Sequence, residues 1–252
     1  METSTFLPKM LKPKCQDCVK QSKGPFCSLS EQVVGALDQS KTCSPYARGQ
    51  ILFQEGNPPV GVYCLETGLV KLYKIGVTGK EQILRIAGPG ELLGYRALIA
   101  GETYAHFAEA LVDSTVCFMP AETVKPLLRS APDFLWKLVH TLLDEVAEME
   151  ARYVDLSQMP AEARLILFLL RYGGKLSRTP EGKTALGRVG AKGQMALSRQ
   201  EIADCIGAAP ETVIRTLSRL QRRKLIRVEG RAIEIPDPDK LHDFLHQELL
   251  KP

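Results

Sequence analysis

The sequence contains no apolar run that approaches the ~18 residues a membrane-spanning helix requires. Its first residues, METSTFLPKMLKPK, also lack the apolar core of a secretory signal. We therefore predict a cytoplasmic protein whose seven cysteines stay reduced and serve thiolate chemistry or metal ligation rather than a disulfide framework. No recognisable motif combines a nucleophile, a base and an orienting group, so the sequence does not predict an enzyme.

The strongest local signals lie in residues 197–223, LSRQEIADCIGAAPETVIRTLSRLQRR, which predict two short helices joined by a glycine turn. Ser198 followed three residues later by Glu201 is a capping box, and Gly207 stands where a helix ends in a left-handed residue. Pro210 suits the first position of the second helix. The pattern predicts a helix-turn-helix and therefore DNA binding, although an ordinary helix hairpin with surface charges is the alternative.

One edge of the second helix is predicted to face the bases. Glu211 and Arg215 share that edge and together suit one G·C pair or two adjacent ones, because arginine binds guanine O6 and N7 and glutamate accepts from cytosine N4. Ile214 offers only apolar contact, for example with a thymine methyl. The opposite, buried stripe is Val213, Leu217 and Leu220. The residues predicted to face DNA bases or phosphates are Glu211, Ile214, Arg215, Ser198, Arg199, Arg219 and Arg222, and Arg223 and Lys224 are also positioned to meet phosphates.

The basic charge is concentrated in the same part of the chain. Residues 160–252 contain 17 Lys+Arg and 11 Asp+Glu, a net of +6, whereas residues 1–159 contain 16 and 18, a net of −2. A basic excess beside a helix-turn-helix favours contact with phosphates. The segment LIRVEGRAIEI that follows predicts a β-hairpin wing with a two-residue turn at Glu229-Gly230.

The first half of the chain has a different period. Residues 48 to about 118 alternate short apolar runs (ILFQ, VGVYCLE, LVKLYKI, QILRIA, STVCFM) with glycine-bearing turns, which predicts an all-β jelly-roll barrel. Residues 173–194 are rich in glycine and lysine and predict a loop or short irregular strands inside the second domain. The predicted fold is therefore α+β, with a cysteine-rich segment at 1–30, a barrel at 31–130, a long helix at 131–158 and a winged helix-turn-helix at 159–252.

From about Asp133 apolar residues recur at alternating spacings of four and three. A seam this narrow is typical of a two-stranded coiled coil, although a helix packed on its own barrel is the alternative. A two-fold homodimer would also place two recognition helices one helical turn apart on a palindrome. The predicted dimer interface is Leu135, Val139, Leu142, Val146, Met149, Tyr153 and Leu156.

Barrel, long helix and winged helix-turn-helix, in this order, resemble the CRP/FNR family of bacterial transcription regulators. The segments GQILFQEGN, GPGELLGYRALIAG, AEARL and LSRQEIADCIG…ETVIR carry the resemblance. It implies an activator or repressor that contacts RNA polymerase. Members that bind cyclic nucleotides carry a glutamate in the phosphate-binding turn and an Arg-Ser or Arg-Thr pair further on, but here those positions are Tyr95, Ala105 and His106. The missing arginine argues against cAMP.

The cysteines resemble those of the oxygen-sensing FNR branch, in which three N-terminal cysteines and one barrel cysteine bind a [4Fe-4S] cluster, the oxidation of which weakens the dimer and releases DNA. The resemblance implies that Cys15, Cys18, Cys27 and Cys117, in KCQDCVKQSKGPFC and STVCFMP, supply the four thiolates such a cluster needs. The gap between Cys18 and Cys27 is longer than in the enteric proteins. Loop length costs little entropy, but Cys43 remains an alternative third ligand.

Other interpretations of the cysteines stay open. They are a redox-silent zinc site, a pair of thiols that forms a disulfide on oxidation, and no cofactor at all. Cys64 and Cys205 occupy apolar positions and are predicted to be small core residues. His106 and His140 lack a supporting motif for haem ligation. From another functional class, an iron-sulfur electron carrier would use the cluster but would need no helix-turn-helix.

The same branch carries Glu-x-x-Ser-Arg on its recognition helix, where this sequence has Glu211-Thr212-Val213-Ile214-Arg215. The resemblance therefore implies a palindrome with TTG-like half-sites, in which the contacts of Glu211 and Arg215 persist and the serine contact is lost.

Overall fold

The computed structural model describes residue 15 and residues 30–173, 185–186 and 197–249. An N-terminal barrel leads into one long helix, and a smaller helical domain follows it. The elements of the first part are α1 Glu31–Ser40, β1 Thr42–Tyr46, β2 Ile51–Phe53, β3 Gly61–Thr67, β4 Val70–Ile75, β5 Glu81–Ala87, β6 Leu92–Leu93, α2 Tyr95–Ala100, β7 Phe107–Ala110, β8 Ser114–Pro120, α3 Ala121–Ser130 and α4 Pro132–Gln158.

The barrel consists of two antiparallel four-stranded sheets, with strand orders β1-β8-β3-β6 and β2-β7-β4-β5. Consecutive strands alternate between the sheets except β4 and β5, which pair with each other, and the inward side chains of both sheets form a shared apolar core. Leu65, Val70, Ala108 and Val116 of this core are fully buried. Burial of one face of each sheet against the other supplies the hydrophobic driving force for the barrel. The predicted α+β fold with an N-terminal β-barrel is confirmed.

The segment after β6 departs from the all-β prediction, because residues 95–100 form the short helix α2. Gly94 and Gly101 bound it with positive φ angles of 80° and 71°, a conformation that residues with a Cβ rarely adopt. At Gly94 a Cβ would also lie 3.1 Å from the ring of Tyr104. These glycines look like turn residues in the sequence, but here they begin and end a helix.

The long helix that the sequence predicts is confirmed as α4, which spans 27 residues. Phe134 and Leu138 near its start are fully buried against the barrel. Most of the predicted interface residues are instead exposed in the single chain, from 37% at Leu135 to 74% at Tyr153. The helix therefore uses one face to hold the barrel and leaves an apolar face uncovered.

The described residues of the C-terminal domain form four helices and a π-helical turn around one apolar core, with a small antiparallel sheet of order β10-β11-β9. The wing is confirmed, but its turn is Gly230-Arg231, one residue later than predicted, because Glu229 pairs with Ala232. Strand β9 lies within the segment predicted as loop or short strands, the first residue of which, Gly173, instead ends α5; residues 174–184 and 187–194 are outside the described residues. The elements are α5 Ala161–Gly173, β9 Ala185–Leu186, α6 Arg199–Ile206, α7 Pro210–Arg222, β10 Arg227–Glu229, β11 Ala232–Glu234, α8 Pro238–Phe244 and the π turn Leu245–Leu249.

Across residues 30–173 and 197–249, none of the helices combines the length and apolar character that crossing a membrane requires.

Candidate nucleic-acid interface and cysteine site

Helices α6 and α7 form the predicted helix-turn-helix, and its local signals are confirmed. The Ser198 hydroxyl accepts from the Glu201 N–H at 3.1 Å, and the Glu201 carboxylate accepts from the Ser198 N–H at 2.6 Å. This reciprocal pair satisfies two N–H groups that the helix start leaves without intrahelical partners. Gly207 ends α6 with a φ of 60°, and Pro210 begins α7 after Ala209, which has no polar side chain to cap it.

The edge of α7 predicted to face bases is open to solvent. Glu211 and Arg215 are exposed one turn apart, and Ile214 between them is 51% exposed. On the opposite side, Val213 and Leu220 are fully buried in the domain core. The buried stripe anchors the helix, so the exposed edge is held on a rigid support, as groove recognition requires.

The residues predicted to contact phosphates have different environments. The Ser198 hydroxyl is engaged in the cap, and an Arg199 Nη2 donates to the Gly230 carbonyl of the wing at 3.0 Å. Arg219 forms an ion pair with Glu162 of α5. Arg222 is exposed at the end of α7. Since Arg199 and Arg219 already have protein partners, Arg222 is the most direct candidate for a phosphate contact.

Arg164 of α5 binds the C-terminal end of α6, the first helix of the helix-turn-helix. Its Nε donates to the Ile206 carbonyl at 2.8 Å, and its Nη2 donates to the Gly207 carbonyl at 3.1 Å. These carbonyls belong to the end of α6, where the helix leaves acceptors without intrahelical donors and its dipole favours a cation. No local sequence signal indicates this role, although Arg164 lies within the AEARL segment.

A second arginine joins three parts of the molecule. Arg152 of α4 donates to the carbonyls of Leu84 and Ile83 in β5, and at 3.0 Å to the Cys205 carbonyl in α6. Nearby, Arg48 of the barrel forms a 2.7 Å ion pair with Glu201 of the capping box. The barrel, the long helix and the helix-turn-helix are therefore connected by polar contacts between residues that are far apart in the sequence.

A cavity of about 390 Å³ lies between the barrel and α4, and its lining includes Tyr95, Ala105 and His106. Tyr95 and Ala105 supply neither the carboxylate nor the cation of the cyclic-nucleotide motif. Burial lowers the pKa of His106 to about 4, with the nearby cation Arg96 acting in the same direction, so this imidazole is neutral at pH 7.

The side chain of Arg85 also lines this cavity and is held between two carboxylates, those of Glu91 and Glu145. Burial disfavours its charge, but the two carboxylates outweigh this effect and raise the pKa of Arg85. The cation is thus committed to an internal ion-pair triad that ties β5 to α4.

Two of the four predicted cluster ligands, Cys15 and Cys117, lie at the same part of the barrel. Both contact one apolar cluster of the barrel, to which Cys43 and Cys64 also belong. Cys15 is tied to α1: its N–H donates to Asp38 at 2.8 Å, and its Sγ accepts from Lys41 Nζ at 3.2 Å. Burial raises the pKa of the Cys15 thiol to about 11, although the Lys41 cation opposes this rise.

The prediction that all cysteines are reduced does not hold for Cys117. Its sulfur forms a disulfide with Cys43, and the two Cα atoms are 3.9 Å apart. The physical reason is the pairing of β1 with β8, which places the two residues directly opposite each other. A sulfur in a disulfide is not a thiolate ligand, so ligation by Cys117 requires this bond to be reduced. The prediction for Cys117 stays a prediction.

The other cysteines divide into two groups. Cys18 and Cys27 lie outside the described residues. Cys64 and Cys205 are buried, as predicted, and burial raises the pKa of Cys205 to about 12, which makes it an inert thiol. Over residues 15, 30–173 and 197–249, no three His, Cys, Asp or Glu side chains are grouped so as to hold a metal ion.

A β-barrel joined through a long helix to a winged helix-turn-helix defines a class of DNA-binding transcription regulators. Sequence-family comparison agrees: residues 44–131 match a cyclic nucleotide-binding domain, and residues 163–244 match a Crp-like helix-turn-helix domain. Both domains are thus present in the order that the sequence predicts.

Relatives extend this match over most of the chain. The anaerobic regulatory protein of Pasteurella multocida is 31% identical over 88% of this chain and 79% of its own, and the transcriptional activator protein Anr of Pseudomonas aeruginosa is 31% identical over 90% of both. The solved structure of FixK2 from Bradyrhizobium japonicum is 26% identical, covers 81% of this chain and 96% of its own, and has a TM-score of 0.70. The chain belongs to the CRP/FNR family of transcription regulators.

Proposed function

We propose that this regulator is a homodimer that binds a palindromic DNA site and senses oxygen or redox state through a [4Fe-4S] cluster. The observation that carries the sensing proposal is the convergence of Cys15, from the N-terminal segment, and Cys117, from β8, on one apolar cluster of the barrel. The names of the relatives, which include a fumarate and nitrate reduction regulatory protein of Vibrio cholerae at 30% identity, support the same proposal.

The donor set fits an iron-sulfur cluster in its chemistry. Cys15, Cys18, Cys27 and Cys117 would supply the four thiolates, with Cys43 as the alternative to Cys27. When bound, the cluster supplies a redox-labile group, and its oxidation is the signal. Lys41 donates to Sγ of Cys15 and would partly offset the negative charge of gathered thiolates.

The exposed face of α4 supports the dimer. Val146, Met149 and Tyr153 are 43%, 51% and 74% exposed at heptad spacing, so a large apolar surface remains uncovered in the single chain. A second copy of the same helix is the partner that a heptad seam fits. Any signal that strengthens this pairing also strengthens DNA binding, because two recognition helices then engage one palindrome.

The exposed edge of α7 supports the proposed half-site. Glu211 and Arg215 lie on one edge at the N-terminal end of the helix, from which side chains reach base edges in the major groove. Together they suit the G·C pair of a TTG-like half-site, and Ile214 suits an adjacent thymine methyl.

Anaerobic purification tests the sensing proposal directly. The absorption spectrum and the iron and sulfide contents of the protein would be measured first, followed by its affinity for a palindromic duplex before and after exposure to air. We expect equal amounts of iron and sulfide and weaker binding after exposure. Zinc in place of iron and sulfide would overturn the sensing mechanism. A cluster whose oxidation leaves DNA affinity unchanged would instead fit an electron-carrier role.

Single Cys→Ala variants test the ligand set under anaerobic reconstitution. Replacement of Cys15, Cys18, Cys27 or Cys117 is expected to abolish cluster binding, whereas Cys205→Ala, which removes an inert buried thiol, should bind normally. Cluster loss in Cys43→Ala but not in Cys27→Ala would show that Cys43 is the third ligand.

A further inference from the structure

Three cysteines form a row across one sheet of the barrel. Cys117 in β8 lies directly opposite Cys43 of β1 on one side and Cys64 of β3 on the other. Side chains of directly paired residues point to the same face of a sheet and lie beside each other. All three are buried in the same apolar cluster, and we call them the cysteine row.

Within the cysteine row, Cys117 is bonded to Cys43. In compartments that keep thiols reduced, disulfides are usually transient and serve catalysis or redox sensing. We propose that Cys43 and Cys117 are a reversible redox pair, oxidised by a peroxide to the disulfide and returned to two thiols by a dithiol reductant.

The oxidation balances with hydrogen peroxide as the two-electron acceptor. One thiolate of the pair attacks a peroxide oxygen, the O–O bond breaks, a sulfenic acid forms, and the released hydroxide takes up a proton to become water. The second thiolate then attacks the sulfenic sulfur, which forms the S–S bond and releases a second water after protonation. Two thiols and one peroxide thus give one disulfide and two waters.

The pair has a consequence that rests on the proposed function, namely on Cys117 as a cluster ligand. In the disulfide Cys117 is withdrawn from ligation, so oxidised protein cannot assemble the cluster until the bond is reduced. Peroxide would therefore hold the regulator in its cluster-free state through a bond within the barrel, separately from the action of oxygen on an assembled cluster.

The test uses full-length, cluster-free protein, fully reduced and then treated with one equivalent of hydrogen peroxide, followed by catalase. Peptide mapping by mass spectrometry is expected to find Cys43 linked to Cys117, and dithiothreitol is expected to remove the link. Anaerobic incubation with iron and sulfide should then load the reduced protein at least about tenfold more than the oxidised protein. In the Cys43→Ala variant, peptide mapping after the same peroxide treatment should find that this link is missing, with Cys117 open to alkylation.

Cys64→Ala is the matched control, since Cys64 has the same buried fraction, the same sheet and the same register as Cys43. This variant is expected to retain both the Cys43–Cys117 link and the loss of loading. A link from Cys117 to Cys64 in the unmodified protein, or no link at all, would overturn the redox pair. If the link forms but reduced protein takes up no iron and sulfide, the cluster proposal fails while the redox pair stands. Equal loading of reduced and oxidised protein would refute the withdrawal of Cys117.

Discussion

The DNA-binding domain and the barrel both follow the fold of their family, but they assemble their functional residues differently. In the helix-turn-helix, the capping box, the turn glycine and the exposed edge of α7 all arise within residues 198–215. In the barrel, the cysteine row and the Arg85 ion-pair triad unite residues from separate strands and from α4. One functional unit is local in sequence, and the other exists only once the sheets have formed.

This difference explains why the two domains diverge differently from the family pattern. The barrel sheets depend on burial of their inward faces, so a few residues at the cavity can change while the sheets persist. Tyr95, Ala105 and His106 stand where the cyclic-nucleotide motif would be, and the barrel remains intact. In α7 the residues predicted to face bases lie on a helix whose opposite face anchors it, and Glu211 and Arg215 keep the pattern that the resemblance implies.

The largest expected effect comes from disrupting the proposed dimer seam on α4, the helix that joins the barrel to the DNA-binding domain. Val146→Glu would bury an unpaired charge at the heptad seam, and we expect the dimer dissociation constant to rise at least about a hundredfold. Val146 is 43% exposed in the single chain, so the variant should still fold. Analytical ultracentrifugation measures the association. Val77→Glu, the same change at a fully exposed turn position of the barrel, is the control and should stay dimeric. An unchanged dimer in Val146→Glu would refute the seam.

The next prediction tests whether the barrel cavity disfavours a positive charge on the imidazole of His106. The pKa of His106 is about 4 in the folded chain and about 6.5 when unfolded, so the unfolded state binds the proton more tightly. The folded state is therefore most stable above pH 6.5, where His106 is neutral in both states. It loses stability as the pH falls towards 4. Between pH 7.5 and 4.5 we expect His106 to lower the free energy of unfolding by about 2 to 3 kcal/mol. The charged groups near this imidazole are Arg96, Arg85, Lys74 and Glu55.

Denaturant unfolding at the two pH values measures this contribution as the difference between the parent and His106→Gln. His140→Gln, at an exposed position of α4, is the matched control and should show the pH dependence of the parent. If His106→Gln also follows the parent, the imidazole is solvated and the cavity resembles a polar ligand site more than we infer.

The third prediction concerns the local unit. Arg215→Ala should cost about 1 to 3 kcal/mol of binding free energy on the specific site and reduce discrimination at the guanine. Arg222→Ala removes an exposed charge from the end of the same helix, and it should weaken all sequences alike and lower the salt dependence. Binding titrations on matched and mismatched duplexes at several salt concentrations separate the two effects. Equal losses on both duplexes in Arg215→Ala would argue against base recognition by this residue.

The smallest effect lies where the two domains meet, at Glu201. Glu201→Ala removes both the capping-box acceptor and the ion pair with Arg48, and it should lower the free energy of unfolding by about 1 kcal/mol. Glu201→Gln keeps an acceptor for the cap and loses only the charge, which at this solvent-accessible pair should cost about half as much or less. Denaturant unfolding of both variants decides between them. If glutamine proves as costly as alanine, the contact with the barrel matters more than the cap.

The sequence predicted the local unit well because its determinants lie within a few residues of one another. Ser198, Glu201 and Gly207 determine a helix start and end without help from the rest of the chain. The wing turn was misplaced by one residue, since strand register depends on the partner strand as well as on the turn. Helix α2 was missed because glycines at positive φ serve turns and helix ends alike.

The candidate site of the barrel was less predictable. The resemblance identified Cys117, but its position opposite Cys43 follows from a pairing between strands 74 residues apart in sequence. Residue spacing within a short segment of the sequence cannot predict that pairing. The contacts of Arg152 were missed for the same reason, since the three carbonyls it reaches lie 53 to 69 residues away.

The cysteine row also restricts how this gene can change in length. Neighbouring residues of a strand point to opposite faces, so inserting or deleting one codon between the start of β8 and Cys117 would turn that sulfur away from both neighbours. Substitutions elsewhere in the strand leave the row intact. We therefore expect descendants of this sequence that keep the three sulfurs together to place most insertions and deletions in the loops, where the number of residues between strands can vary.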